Sequence, residues 1–283
     1  MATLKEIKKR INSIKSTRKT TSAMKMVSSS KLRKAELQLV SIRRYAEALR
    51  YIMQSLMTSG YSNLFFADRP LKNVALIAFS SDSSLCGAFN SNISRELQKS
   101  IQTYKKSSDI EAVYVYTIGK KVYESIRKTD IPVAGNFENL AGKPTYQTVV
   151  DFASTITAQF ESNRIDRVDL IYHHFKSAGV QELANVPLLP MKLPEQQIDI
   201  DYIIEPSRDY VFKTLIPYIL QIKMFTVLLE SSTSEHAARM IAMQTATDNA
   251  DDLISALTIE YNKSRQQAIT NELLDLIGGS AQQ

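Results

Sequence analysis

The chain is poor in residues that break secondary structure. It holds 8 glycines and 8 prolines in 283 residues, about half their usual combined share of roughly 12%. Residues 1–59 contain neither, and residues 218–277 contain neither. All the breakers except Gly278 and Gly279 fall between Gly60 and Pro217. Two such breaker-free stretches leave no room for the regular turns of an all-β sandwich. Collagen-like, Gly/Ser-linker and Pro-rich tracts are excluded as well. No run of eighteen apolar residues occurs, which argues against a membrane-crossing helix. The one cysteine, Cys86, excludes an internal disulfide and fits a reducing compartment. The basic N-terminus lacks an apolar stretch of the secretory type. A mitochondrial presequence is the alternative, but the apolar pattern starts at Leu4 and runs unbroken into a long helical segment.

Acidic charge is missing from one end. Residues 1–50 carry fourteen Lys/Arg against three Asp/Glu, a net +11, while the other 233 residues carry a net −5. The basic side chains include Lys5, Lys8, Lys9, Arg10, Lys15, Arg18, Lys19, Lys25, Lys31, Arg33 and Lys34. Such a run reads as a solvated face, a nucleic-acid or membrane surface, or a face opposite acidic protein. A merely solvated helix would mix signs. Residues 231–283 carry seven Asp/Glu and three Lys/Arg, so pairing of the two ends, plus an outside acidic surface, is the favoured reading.

What is present is heptad order. A seam of alternating three- and four-residue steps from Leu4 to Leu56 is apolar at twelve of sixteen positions, the pattern of a helix packed along one stripe. The four exceptions are consecutive: Arg18, Thr21, Lys25 and Ser28. There the apolar residues Ala23, Met24, Met26 and Val27 lie off the seam. A second seam, from Ile219 to Ala268, is apolar at ten of fifteen positions. At roughly 1.5 Å per residue, a 55-residue helix spans about 80 Å and must project, bend or pair with another long helix. Pro217 is read as lying in the first turn of the second helix, with 206–216 as a separate short helix and Gly278-Gly279 as the stop.

The middle differs. NVALIAFS (73–80), AVYVYTI (112–118) and RVDLIYH (167–173) read as buried strands. Helical segments are expected near 90–104, 120–128 and 145–163, a further strand over 181–189, and a linker over 187–194. Strands alternating with helices give a mostly parallel sheet. The loop SSDSSLCGAFN (80–90) follows the first strand, where α/β proteins place phosphate loops and nucleophiles. Cys86 as a nucleophile at a helix N-terminus competes with a plain turn capped by Asp82 and Asn90. No GxGxxG or GxxxxGK[ST] motif occurs, so the turn is preferred. His173 and His174 are adjacent on a strand and face opposite ways, which disfavours a shared metal. His236 reads as a helix histidine, partly buried. From pattern alone the chain is an asymmetric coiled coil with an α/β domain between its strands, an interaction protein more than an enzyme.

Long stretches of this sequence resemble the gamma subunit of F-type ATP synthases. They are KEIKKRINSIKSTRKTTSAMKMVSSSKLRKAE (5–36), DSSLCGAFN (82–90), SEHAARMIAMQTATDNADDLI (234–254) and YNKSRQQAITNELLDLIGGSA (261–281). The chain departs from the family at Ser83, Ser84, Ala88 and Ser280, and lacks the regulatory cysteine pair of plastid members. The resemblance implies a long antiparallel coiled coil of the N- and C-terminal helices with a central Rossmann-like α/β domain. The divisions would be 1–59 and 207–283 for the shaft and 60–206 for the domain. It implies a central rotor stalk that couples c-ring rotation to ATP synthesis or hydrolysis at the beta subunits. No catalysis, cofactor or metal is implied for this chain. The implied partners are three alpha and three beta subunits, epsilon and the c ring. Nucleic acid is not among them, and the membrane would be met only through the c ring. The implied place is the cytoplasmic side of a bacterial plasma (inner) membrane. The residues implied to meet beta subunits are Met24, Lys25, Arg265, Gln266, Thr270 and Glu272. The break in the first seam, Arg18–Ser28, is read as the point where the helix stops packing on its partner and faces beta. The alternatives are a nucleotide-dependent α/β enzyme, which needs a phosphate loop, and a coiled-coil nucleic-acid binder.

Overall fold

A computed structural model describes residues 3–56, 63–129, 131–138, 140–142, 144–192 and 204–280, with side chains to Leu274. In chain order the elements are α1 (Leu4–Leu56), β1 (Asn73–Phe79), α2 (Phe89–Lys105), β2 (Ala112–Ile118), α3 (Lys120–Ile126), β3 (Val133–Phe137), α4 (Tyr146–Glu161), β4 (Arg167–Ser177), β5 (Val180–Leu189) and α5 (Arg208–Ser280). The chain divides into two compact units, residues 1–29 with 239–283, and residues 30–238.

In the larger unit the sheet order is β3-β2-β1-β4-β5. All neighbours are parallel except the hairpin pair β4 and β5. β1 is central and buried on both faces, which is why it reads as a continuous apolar run. Alternate residues serve opposite layers. Val74, Leu76 and Ala78 meet Ile93, Leu97 and Ile101 of α2 and Val122 and Ile126 of α3. Ala75, Ile77 and Phe79 join the other layer. That layer holds Val149, Phe152, Ile156 and Phe160 of α4, with Met53 and Leu56 of α1 and Phe212, Ile216, Leu220 and Met224 of α5. Each fully buried side chain of this size contributes about 1.5–3 kcal/mol.

Several expectations change. β3 (VAGNF) was not anticipated from the sequence. β5 matches the strand expected over 181–189, so the linker that was expected to start at Pro187 begins only after Leu189. Proline is tolerated within β5 because it is an edge strand and Pro187 lies opposite Asp169, beside a register shift. Leu193 and Pro194 of that expected linker lie outside the described residues. Residues 206–216 do not form a separate helix, since α5 is continuous from Arg208 with Pro217 inside it. It also runs through Gly278 and Gly279 to Ser280. By length and composition α5 could cross a membrane, holding a window of mean hydropathy 1.4. Phe212, Ile216, Leu220, Met224, Val227 and Leu228 of this helix enter the core.

Candidate functional site

In the smaller unit α1 and α5 run antiparallel. Arg18 Nε meets Asp251 Oδ1 at 2.5 Å, and Thr21 Oγ1 meets Thr247 Oγ1 at 2.8 Å. As the position on α1 rises, its partner on α5 falls. Seam residues Ile7 and Ile11 are buried on α1, and Met243 and Ala250 on α5.

The seam does not stop between Arg18 and Ser28, which corrects the sequence reading. Thr21 and Ser28 are buried, and Lys25 is half-buried. Small hydroxyls take the place of apolar knobs and satisfy themselves locally. Thr21 Oγ1 donates to Arg18 O at 3.0 Å, and Ser28 Oγ donates to Met24 O at 2.9 Å. A polar layer of this kind packs less strongly than leucine but keeps its groups bonded. The off-seam residues do face outward: Met26 is 65% exposed and Val27 57%. Met24 and Lys25 are both half-buried.

Among the described residues the basic charge of α1 is largely unanswered. Of the eleven basic residues from Lys5 to Lys34 named above, Arg18 is the one in an ion pair with α5 among the described residues. Both its side chain and that of Asp251 are about half exposed (48% and 49%), so the pair contributes about 0–1 kcal/mol. Mutual neutralisation of the two ends is therefore a minor effect.

The register also shows which part of α5 lies beyond the described residues of α1. Extending the Arg18–Asp251 and Thr21–Thr247 pairing puts Leu4, the start of α1, level with Ser264 and Arg265. Every residue from Arg265 to Leu274 is exposed. Arg265, Gln266, Thr270 and Glu272 lie on this free end, and Thr270 Oγ1 bonds back to Gln266 O at 2.9 Å. Ile269, Leu273 and Leu274 are exposed on it as well. Met24 and Lys25 lie level with Gln244, about 30 Å along the axis from Arg265 at roughly 1.5 Å per residue. The six residues thus form two separate zones, not one site.

In the larger unit the crevice at the carboxyl ends of β1 and β4 is the topological switch point, where α/β folds place ligands. Here the chain fills it. His173 is buried and stacks on Phe89 with ring centroids 4.4 Å apart. Ser234 of α5 donates its hydroxyl to His173 O at 3.0 Å. Burial pushes His173 down to about 4, so its ring is neutral at pH 7. Its Nδ1 has no hydrogen-bond partner among the described residues. Cys86 is buried and takes a hydrogen bond from Asn90 Nδ2 at 3.1 Å. Asn90 also accepts from Ser81 N at 3.1 Å, which closes the turn. Gly87 sits at φ +59, where a left-handed backbone favours glycine. Asp82 does not cap α2. Its Oδ1 accepts from Lys120 N at 3.2 Å, at the start of α3. The loop is a packed turn, and neither the nucleophile reading nor a phosphate cradle fits it.

His174 faces away from His173. Its Nδ1 meets Glu230 Oε2 at 2.8 Å, and Arg43 holds the other carboxylate oxygen at 2.7 Å. Arg43 Nη2 also donates to Phe175 O at 2.8 Å. This link among α1, β4 and α5 was missed in the sequence. Its one local signal is Glu230 inside the apolar run TVLLESS. His236 Nδ1 lies 2.6 Å from Glu235 Oε2. No group of three or more His, Cys, Asp or Glu suited to a metal occurs among the described residues.

A family model described as ATP synthase matches residues 3–282. The ATP synthase gamma chain of Bacteroides fragilis is 47% identical over 289 residues, covering 99% of each chain. That of Flavobacterium johnsoniae is 40% identical, over 99% of this chain and 98% of its own. Among solved structures, a chain from the central stalk and c ring of the Tetrahymena thermophila mitochondrial ATP synthase superposes with TM-score 0.61 at 24% identity. It covers 80% of this chain and 99% of its own. A chain of the Euglena gracilis mitochondrial ATP synthase gives TM-score 0.69 at 20% identity, over 98% and 93%. These two structures carry the fold alone.

Proposed function

This chain belongs to the ATP synthase gamma-chain family, and on that premise we propose which of its parts act as shaft, bearing and foot. It is the central rotor stalk subunit of an F-type ATP synthase, and it is not itself catalytic. Rotation of a c ring is coupled through it to the states of catalytic beta subunits. Its partners are alpha and beta subunits, epsilon and the c ring. Coupling of this kind needs no bond-making by the chain. Each rotor angle presents a different face, and that face favours one set of beta conformations over the others.

The free end of α5 is the observation that carries the assignment of parts. A helix that outruns its partner, with Ile269, Leu273 and Leu274 in solvent, is suited to a surrounding sleeve of other subunits. Arg265, Gln266, Thr270 and Glu272 would line that bearing. The outward face at Met26 and Val27, with Met24 and Lys25 beside it, is a second contact zone. Methionine suits a sliding contact because it is flexible and adaptable. The unanswered basic charge of α1 calls for acidic loops around it. Residues 1–59 and 207–283 would form the shaft, and 60–206 the foot. The complex is membrane-bound, and the chain belongs to its peripheral part. We place it on the cytoplasmic face of a bacterial plasma membrane, touching the bilayer only through the c ring.

The test is Lys25→Glu in the reconstituted complex. ATP-driven ion pumping per ATP hydrolysed should fall while the subunit stays folded and assembled. Unchanged coupling would reject the assignment of this zone.

A further inference from the structure

The larger unit has a cavity of about 660 Å³, within the range of roughly 300–1,000 Å³ common for small-molecule sites. It lies between α1 and α5, with the end of β5 as a third wall. Leu49, Met53, Leu188 and Ile222 line it, so most of its surface is apolar. The charged residues around it do not balance. Arg43 and Glu230 are bonded to each other, which leaves Arg50, Lys192 and Lys223 against Glu47 alone. No ion pair involves Arg50, Lys192 or Lys223 among the described residues.

The register sharpens this. The helices that join Arg43 to Glu230 bring Arg50, two turns on, level with Lys223, two turns back. Two cations therefore stand across from each other along an apolar groove. Both side chains are exposed at the rim of the groove, so an anion arriving from solvent can reach the two cations together.

From this juxtaposition we propose that the groove binds a single-chain amphipathic anion, its carboxylate between Arg50 and Lys223 and its hydrocarbon tail against Leu49, Met53 and Ile222. An apolar tail matches the walls, and one negative head matches the excess of positive charge. A neutral amphiphile would leave both cations unanswered. A cationic one would be repelled.

Photolabelling of the purified full-length chain with a diazirine-bearing dodecanoate tests this. Label should concentrate on peptides from 43–54 and 219–230. Unlabelled dodecanoate should suppress it at least tenfold more effectively than dodecanol does. The double variant Arg50→Gln/Lys223→Gln changes two exposed side chains, and circular dichroism will verify its fold. It should lose at least tenfold in labelling, and dodecanoate and dodecanol should then compete equally. Labelling spread without preference, or absent, overturns the proposal. So does undiminished labelling of the double variant. Equal competition by dodecanol in the unaltered chain also overturns it, and would mark the groove as a plain apolar docking face for another protein.

Discussion

Lowering the pH should destabilise the larger unit through one residue, His173. The residue is 3% exposed, its ring is stacked on Phe89, and its Nδ1 has no partner among the described residues. Burial lowers its pKa to about 4 from an ordinary value of 6.5. Because the unfolded chain takes up the proton first, stability is lost as pH falls from about 6.5 toward 4. At pH 7 the effect is negligible. At pH 5 the unfolded histidine is nearly all charged and the folded one still neutral. The difference amounts to about 2 kcal/mol, using roughly 1.36 kcal/mol per pH unit. His173→Phe removes the titration and keeps an aromatic ring against Phe89. It also removes an unsatisfied buried polar atom, so at pH 7 the variant should match or exceed the unaltered chain. Urea unfolding followed by tyrosine fluorescence at pH 7 and pH 5 measures this. The unaltered chain should lose about 2 kcal/mol more than His173→Phe between the two pH values. Equal losses would show that His173 is not held neutral, and the reasoning would fail.

Three further outcomes follow from single contacts. Glu230→Gln should lower stability by about 1–3 kcal/mol, because a buried carboxylate held by Arg43 and His174 is replaced; a thermal melt unchanged within error would contradict this. Gly119→Ala should destabilise strongly or block folding. Its φ is +91, and an added Cβ would lie 2.3 Å from Ser80 O, so soluble expression at the usual level would count against the geometry. Thr21→Val and Thr247→Val in a double-mutant cycle should show a coupling of about 1 kcal/mol; simple additivity would mean that the hydroxyl pair is not formed.

The seam positions of α1 and α5 were legible in the sequence because burial along a helix is a local, periodic property. Ile7, Ile11, Leu32, Leu39 and Met53 are all buried where the heptad places them. What the seam could not convey is that Thr21 and Ser28 continue it. A hydroxyl is polar in a composition count, yet small enough to pack and able to bond its own helix. The strands β1, β2 and β4 were legible because both-face burial gives apolar runs. β3 was not, because Gly135 and Asn136 have low strand propensity and the strand forms on the free edge of β2. The Arg43–Glu230–His174 link joins three segments far apart in sequence, and no local pattern marks such a contact. The free end of α5 depends on pairing register, which two polar contacts fix and apolar periodicity leaves open.

Pro217 shows how packing overrides local preference. It stands in the interior of α5, nine residues after Arg208. There a proline removes a helix hydrogen bond, crowds the carbonyl four residues before it and costs about 3 kcal/mol. The helix nevertheless continues, because Phe212, Ile216 and Leu220 on either side are at most 1% exposed. Burial of three such side chains contributes about 1.5–3 kcal/mol each, which exceeds the proline's cost. The turns before Pro217 are thus held by the core and weakened by the backbone. Pro217→Ala restores the missing bond without touching the buried residues. Amide exchange over residues 208–216 should slow by about tenfold to a hundredfold, equivalent to roughly 1.4–3 kcal/mol of local stability. Faster or unchanged exchange would mean that the proline is accommodated without strain, and that the first turns of α5 owe nothing to the offset described here.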